Sequence, residues 1–154
     1  NLMKHLKKYT ESKYLSKNGK EFIYHSNESP SIPETVEILY CWNNNLTKLP
    51  KLPKGLKELY CNNNDLKELP ELPKRLEKLW CYNNNLSELP RLPKGLKELS
   101  CRDNNLSELP RLPKGLKKLY CYNNNLPYED LEGYWKWFYE NNPDVGEAEK
   151  MGLI

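Results

Sequence analysis

Apolar and polar positions alternate in one short segment that returns along most of the chain. In LKELYCNNNDL, residues 56–66, Leu59 and Cys61 alternate with Glu58, Tyr60 and Asn62. A period of two is the mark of a strand with one buried and one open face. The segment recurs as VEILYCWNNNL, LEKLWCYNNNL, LKELSCRDNNL and LKKLYCYNNNL, with cysteines at 41, 61, 81, 101 and 121. A constant spacing of 20 residues predicts five strands stacked in parallel at about 4.8 Å, with leucine and cysteine turned inward. Asn44, Asn64, Asn84, Asn104 and Asn124 fall where the chain leaves each strand. An amide donates and accepts at once, so a ladder of them is expected to satisfy the turn backbone.

Between the strands run TKLPKLPKG, KELPELPKR, SELPRLPKG and SELPRLPKG. Proline fixes φ and lacks an N–H, which argues against a helix and for an extended, polyproline-II-like return path. A fixed period in the twenties with leucine at these places is the leucine-rich-repeat signature. The 20-residue unit L-P-x-L-P-x-x-L-x-x-L-x-x-x-x-N-x-L resembles the short bacterial class of that family, known from the Yersinia outer protein M and invasion-plasmid-antigen H effectors. The C-x-N-N-x-L wording is also similar, more loosely, to repeat proteins of large DNA viruses. The resemblance covers about residues 32–126 and implies a curved solenoid with its parallel sheet on the concave side and helical caps. It implies protein binding inside a cell. Catalysis of ubiquitin transfer is not carried over, because the 28 residues after Leu126 contain no cysteine.

The flanks are read as caps. Residues 1–31 are expected to form a short amphipathic helix, from Leu2, Met3, Leu6 and Tyr9. A hairpin follows in KYLSKNGKEFIYH, turning at Asn18-Gly19. Ile32 and Pro33 take the places of Leu52 and Pro53 and begin the repeats, which run through residue 126. Residues 127–154 are expected to hold a capping helix over 128–141 and a tail. Leu131, Tyr134, Trp135 and Phe138 recur on one helical face, Glu129 and Asp130 favour the start, and Asn142-Pro143 the stop. Trp137 and Tyr139 lie off that face.

Composition changes this picture little. A hydrophobic fraction of 38% and 12 prolines would suggest disorder, but the strict spacing overrides them. The net charge of +3 is small and concentrated in residues 1–20, where six lysines face one glutamate. No apolar run reaches the roughly 20 residues of a membrane helix. Five cysteines cannot all pair within the chain, and their column reads as small buried hydrophobes in a reducing, cytoplasmic setting. For an effector or viral protein that setting is the host cytoplasm. Neighbouring disulfides, a soft-metal staircase and a reactive thiol are the weaker readings. His5 and His25 are isolated, and no cofactor or metal is expected. Sequons at Asn27, Asn45, Asn85 and Asn105 mostly follow from the repeat wording and say little about secretion.

The chemistry worth watching lies on the open side of the strands. Tyr40, Tyr60, Trp80, Ser100 and Tyr120 form one column, and Trp42, Asn62, Tyr82, Arg102 and Tyr122 the next. Stacked rings can stabilise adjacent strands, and they are also the side chains that dominate interfaces. The second explanation makes all of these except Ser100 the candidate partner-binding residues of a monomeric, non-catalytic protein- or peptide-binding module. Single-stranded nucleic acid or glycan stacking is the alternative. Glu37, Lys57, Glu77, Lys97 and Lys117, and beside them Glu58, Lys78, Glu98 and Lys118, largely alternate in sign. The rim therefore neutralises itself, and only the N-terminal lysines are expected to form an uncompensated basic line.

Overall fold

The computed structural model describes residues 14–25 and 31–152; the N-terminal helix expected at Leu2–Tyr9 lies outside them. Six parallel strands form one sheet in chain order: β1 (Glu21–Ile23), β2 (Ile38–Tyr40), β3 (Glu58–Tyr60), β4 (Lys78–Trp80), β5 (Glu98–Ser100) and β6 (Lys118–Tyr120). The register is constant, so Leu39, Leu59, Leu79, Leu99 and Leu119 stand side by side. Backbone pairing continues past the three-residue strands, for example from Cys61 N–H to Trp80 O at 2.8 Å and from Lys57 N–H to Glu37 O at 2.7 Å.

The inward column of leucines and the column of five cysteines are buried along the whole stack, together with Leu56, Leu66 and Leu76 and their equivalents up to Leu116; Leu126, in the last repeat, is half-buried. One repeat has no second layer to cover these side chains. Each is covered by the repeat above and the repeat below, which is why the stack folds and a single unit would not.

The asparagine ladder is present and continuous. Asn84 Nδ2 donates to Cys61 O and Cys81 O, both at 3.1 Å, and its Oδ1 accepts from Leu66 N–H at 3.0 Å. Asn64, Asn104 and Asn124 repeat the arrangement. A second asparagine position has its own conformational role. Asn43, Asn63, Asn83, Asp103 and Asn123 all sit at φ of 53–55°, in the left-handed region that Asn and Asp tolerate best among residues with a Cβ. The triple-Asn run is thus a left-handed residue followed by a ladder residue. On the return path, each second proline closes a tight turn through its carbonyl, as in Leu76 N–H to Pro73 O at 3.0 Å.

The flanks differ from expectation in three respects. The Asn18-Gly19 turn exists, with Gly19 at φ 70° and Gly19 N–H donating to Ser16 O, and Leu15 bridges Phe22 in antiparallel fashion. The outgoing arm, however, joins the main sheet as β1, pairing parallel with β2 and placing Phe22 beside Leu39. The sheet therefore has six strands rather than five.

At the other end, α1 (Leu131–Asn141) starts where Asp130 Oδ1 accepts from Gly133 N–H at 2.8 Å. It buries Tyr134 and Phe138. Pro143 does not merely stop this helix. It occupies the first turn of α2 (Pro143–Lys150), a place where its missing N–H costs nothing. Trp137 also packs, with its ring 5.3 Å from that of buried Tyr128.

Candidate binding face

The strands place their alternate side chains opposite the core. Tyr40, Tyr60 and Trp80 are half-buried, each resting on the next: Tyr40 stacks on Tyr60 at 5.1 Å, and Tyr60 meets Trp80 edge-on at 5.0 Å. The series is anchored by carboxylates from the rim. Tyr60 Oη donates to Glu58 Oε2 at 2.5 Å, and Trp80 Nε1 donates to Glu98 Oε1 at 2.9 Å. Burial, and then the bond to Glu58, raise the Tyr60 phenol above its ordinary pKa. In the second column the Arg102 guanidinium lies 4.1 Å over the Tyr82 ring and 5.7 Å from that of Tyr122, and it pairs with Asp103.

Not every open-side residue reaches solvent. Asn62 is 6% exposed and Ser100 5%, because each is a short side chain set between taller ring-bearing neighbours in its column. Asn62 Oδ1 is buried without a hydrogen-bond partner. Asn62 therefore differs from the expected outward contact residue and forms part of the floor. Conversely Ile23, which the sequence reading missed, pairs with Tyr40 and extends the first column by one strand. Among the described residues, six large apolar side chains are exposed, and four of them, Ile23, Trp42, Tyr120 and Tyr122, lie on this face. At Ser100 the face dips into a hollow of about 410 Å³ bounded by Trp80, Tyr82, Tyr120 and Tyr122 and rimmed by Glu98 and Lys118.

The rim charges pair as their alternating signs require. Glu37 receives Lys20 and Lys57, both at 2.7 Å, Glu77 receives Lys97 at 2.6 Å, and Lys78 and Lys118 lie 3.6 Å from Glu58 and Glu98. Hydrogen bonds from Lys20 and Lys57 lower the Glu37 carboxyl to about 2.

Lys20, one of the lysines expected to stand uncompensated, is thus paired. A different basic line runs along the return path. Lys54, Lys74, Lys94 and Lys114 occupy one repeat position, and among the described residues only Lys114 of the four makes an ion pair, with Glu149 at 3.0 Å. Its signal was the unbroken K of LPKG and LPKR.

The thiols are free and buried. Burial pushes Cys41, Cys81 and Cys121 up to about 12 and raises Cys61 and Cys101 as well. Burial thus favours the protonated thiol over the thiolate that a nucleophile or metal ligand needs. Among the described residues no three His, Cys, Asp or Glu side chains converge to hold a metal.

Comparison with known proteins bears on the same repeats. The family model described as Leucine Rich repeats (2 copies) matches residues 34–74 and 54–94. The chain carries leucine-rich repeats of the short bacterial type. Its fold is similar to that of a Shigella effector leucine-rich-repeat domain (TM-score 0.66, 37% identity), covering 72% of this chain and 52% of that one. It is similar also to YopM from Yersinia enterocolitica (0.64, 37%, 73% of this chain, 26% of that). YopM from Yersinia pestis, described as a leucine-rich effector protein, gives 0.66 and 38%, with 72% and 33% covered. The chain thus spans from about a quarter to about half of the lengths of these structures. Comparison with curated protein sequences gives no match. Leucine-rich-repeat domains are in general non-catalytic scaffolds for protein–protein interaction, and among the described residues no helix is long and apolar enough to cross a membrane.

Proposed function

We propose that this leucine-rich-repeat chain is a non-catalytic module that binds a protein or peptide across its concave face. Tyr40, Trp42, Tyr60, Trp80, Tyr82, Arg102, Tyr120 and Tyr122 supply the contact surface, and Asn62 its floor. The observation that carries this reading is the gathering of four of the six exposed large apolar side chains on one face. Rings in water contribute little to folding and much to association. The module works as a monomer in a cytoplasmic compartment, where buried thiols stay reduced, and that compartment is a host cell's if the chain acts as its effector-like relatives do. In this reading residues 32–126 present the surface, extended by Ile23 of β1, and the segments 1–31 and 127–154 serve as caps.

The test is the double substitution Tyr82→Ala with Tyr122→Ala. It should leave the thermal unfolding midpoint close to that of the parent chain and remove most of the partner recovered by affinity capture. Undiminished capture by the folded double variant would exclude the concave face.

A further inference from the structure

The concave face contains a vacancy in its own pattern. Ile23, Tyr40, Tyr60 and Trp80 follow one another in register, Tyr120 resumes the series, and Ser100 stands between Trp80 and Tyr120. Two strand spacings separate Trp80 from Tyr120, about 9.6 Å. Aromatic pairs prefer centroids about 4.5–7 Å apart, so a single ring fits between them with a contact on each side. Where the chain fills this slot itself, the contacts are 5.0 and 5.1 Å.

The chain does not close the vacancy. Trp80 is held on its far side by Tyr60, while its Nε1 donates to Glu98 of β5, the strand that carries Ser100, and so fixes the indole as one wall of the hollow. Arg102, spanning Tyr82 and Tyr122, fills the equivalent place in the second column but leaves the first open. The resulting hollow of about 410 Å³ has Ser100 as its floor. Charge adds a direction. Lys117, on the chain that leads into β6, breaks the alternation by following Lys97 and makes no ion pair among the described residues.

We propose that the Ser100 vacancy receives an aromatic side chain from a partner peptide, with an acidic residue of the same segment meeting Lys117. The guest ring completes the series that the strand register sets out, sandwiched between Trp80 and Tyr120. This rests on the concave face being the binding surface.

The test follows the Trp80 indole N–H by NMR, identified by its loss in Trp80→Phe, in the whole chain titrated with acetyl-Trp-Gly-Glu-amide. The expected result is a saturable shift, none with acetyl-Leu-Gly-Glu-amide, and loss of the response in Ser100→Tyr with retention in Ser100→Ala. The chain already carries tyrosine in this slot at three other strands, so the Tyr variant is expected to fold. Should it not, Tyr120→Ala removes one exposed wall and should weaken binding about tenfold. No shift with the Trp peptide, an equal shift with the Leu peptide, or undiminished binding by the filled variant would overturn the proposal. Partner capture separates the two readings. If Ser100→Tyr captures normally while the Tyr82/Tyr122 double variant does not, the vacancy fails and the face stands. If both capture normally, both fail.

Discussion

The two ends of one column behave differently although every position in it occupies the same slot of the same repeat. Tyr40, Tyr60 and Trp80 touch in sequence and are half-buried by one another, whereas Tyr120, beyond Ser100, is 44% exposed. Strand register, backbone and core beneath are the same. What differs is the neighbour. A ring that touches another ring of its column has become part of the fold, and Tyr120, which touches none, remains available to a partner. In a stack of near-identical units, function is therefore to be sought where a unit departs from its neighbours.

The largest effects should be blind to that difference. Asn84 lies beneath the filled part of the column and Asn104 beneath the gap, yet both satisfy two carbonyls and an N–H. Replacing either with Ala strands those groups and should cost about 3 kcal/mol in urea unfolding. A much smaller loss at Asn104 would mean that the gapped end is looser as a whole, and the contrast would no longer concern side chains alone. At the surface the two ends should separate. Trp80→Ala should cost about 2 kcal/mol through lost ring contacts, against less than about 0.5 for Tyr120→Ala, while partner capture should suffer at Tyr120. Equal stability losses would erase the distinction between folded-in and available rings. Ser100→Tyr should raise stability by about 0.5–1 kcal/mol by completing the series; a loss would show that the slot cannot take a ring.

The smallest effect lies at the N-terminal rim. The Glu37 carboxyl is depressed from 4.5 to about 2. Its stabilising contribution is therefore present above the unfolded value of 4.5 and is lost as pH falls toward 2. The Glu37→Gln variant should show a flatter acid-unfolding curve over that window, and an unchanged curve would remove the Lys20–Glu37–Lys57 group from the account. Exposure and salt screening keep this effect small.

The repeat frame was legible because its physics is local and repeated. Leucine and cysteine alternate with polar residues at every strand, and the ladder asparagine stands at a fixed offset, so the sheet, core and return path follow from spacing. What was missed lacked such periodicity. The segment EFI has no leucine-rich wording, and only tertiary pairing shows that Phe22 takes a leucine place as β1. PDVGEAEK carries few apolar residues, so Pro143 reads as a stop even though it is equally suited to starting α2. Asn62 looked exposed because alternation gives the side of a strand on which a residue lies, not the height of its neighbours. The Lys54–Lys114 line lies on the return path, where no alternation with buried residues marks which side a charge faces.

The central claim is that the partner lies on the concave, aromatic side. A photo-crosslinking residue placed at Tyr122 and, in a second chain, at Lys94 on the return path tests it most directly. The account predicts that the partner crosslinks from position 122 and not from 94. Crosslinking from 94 with none from 122 would contradict it.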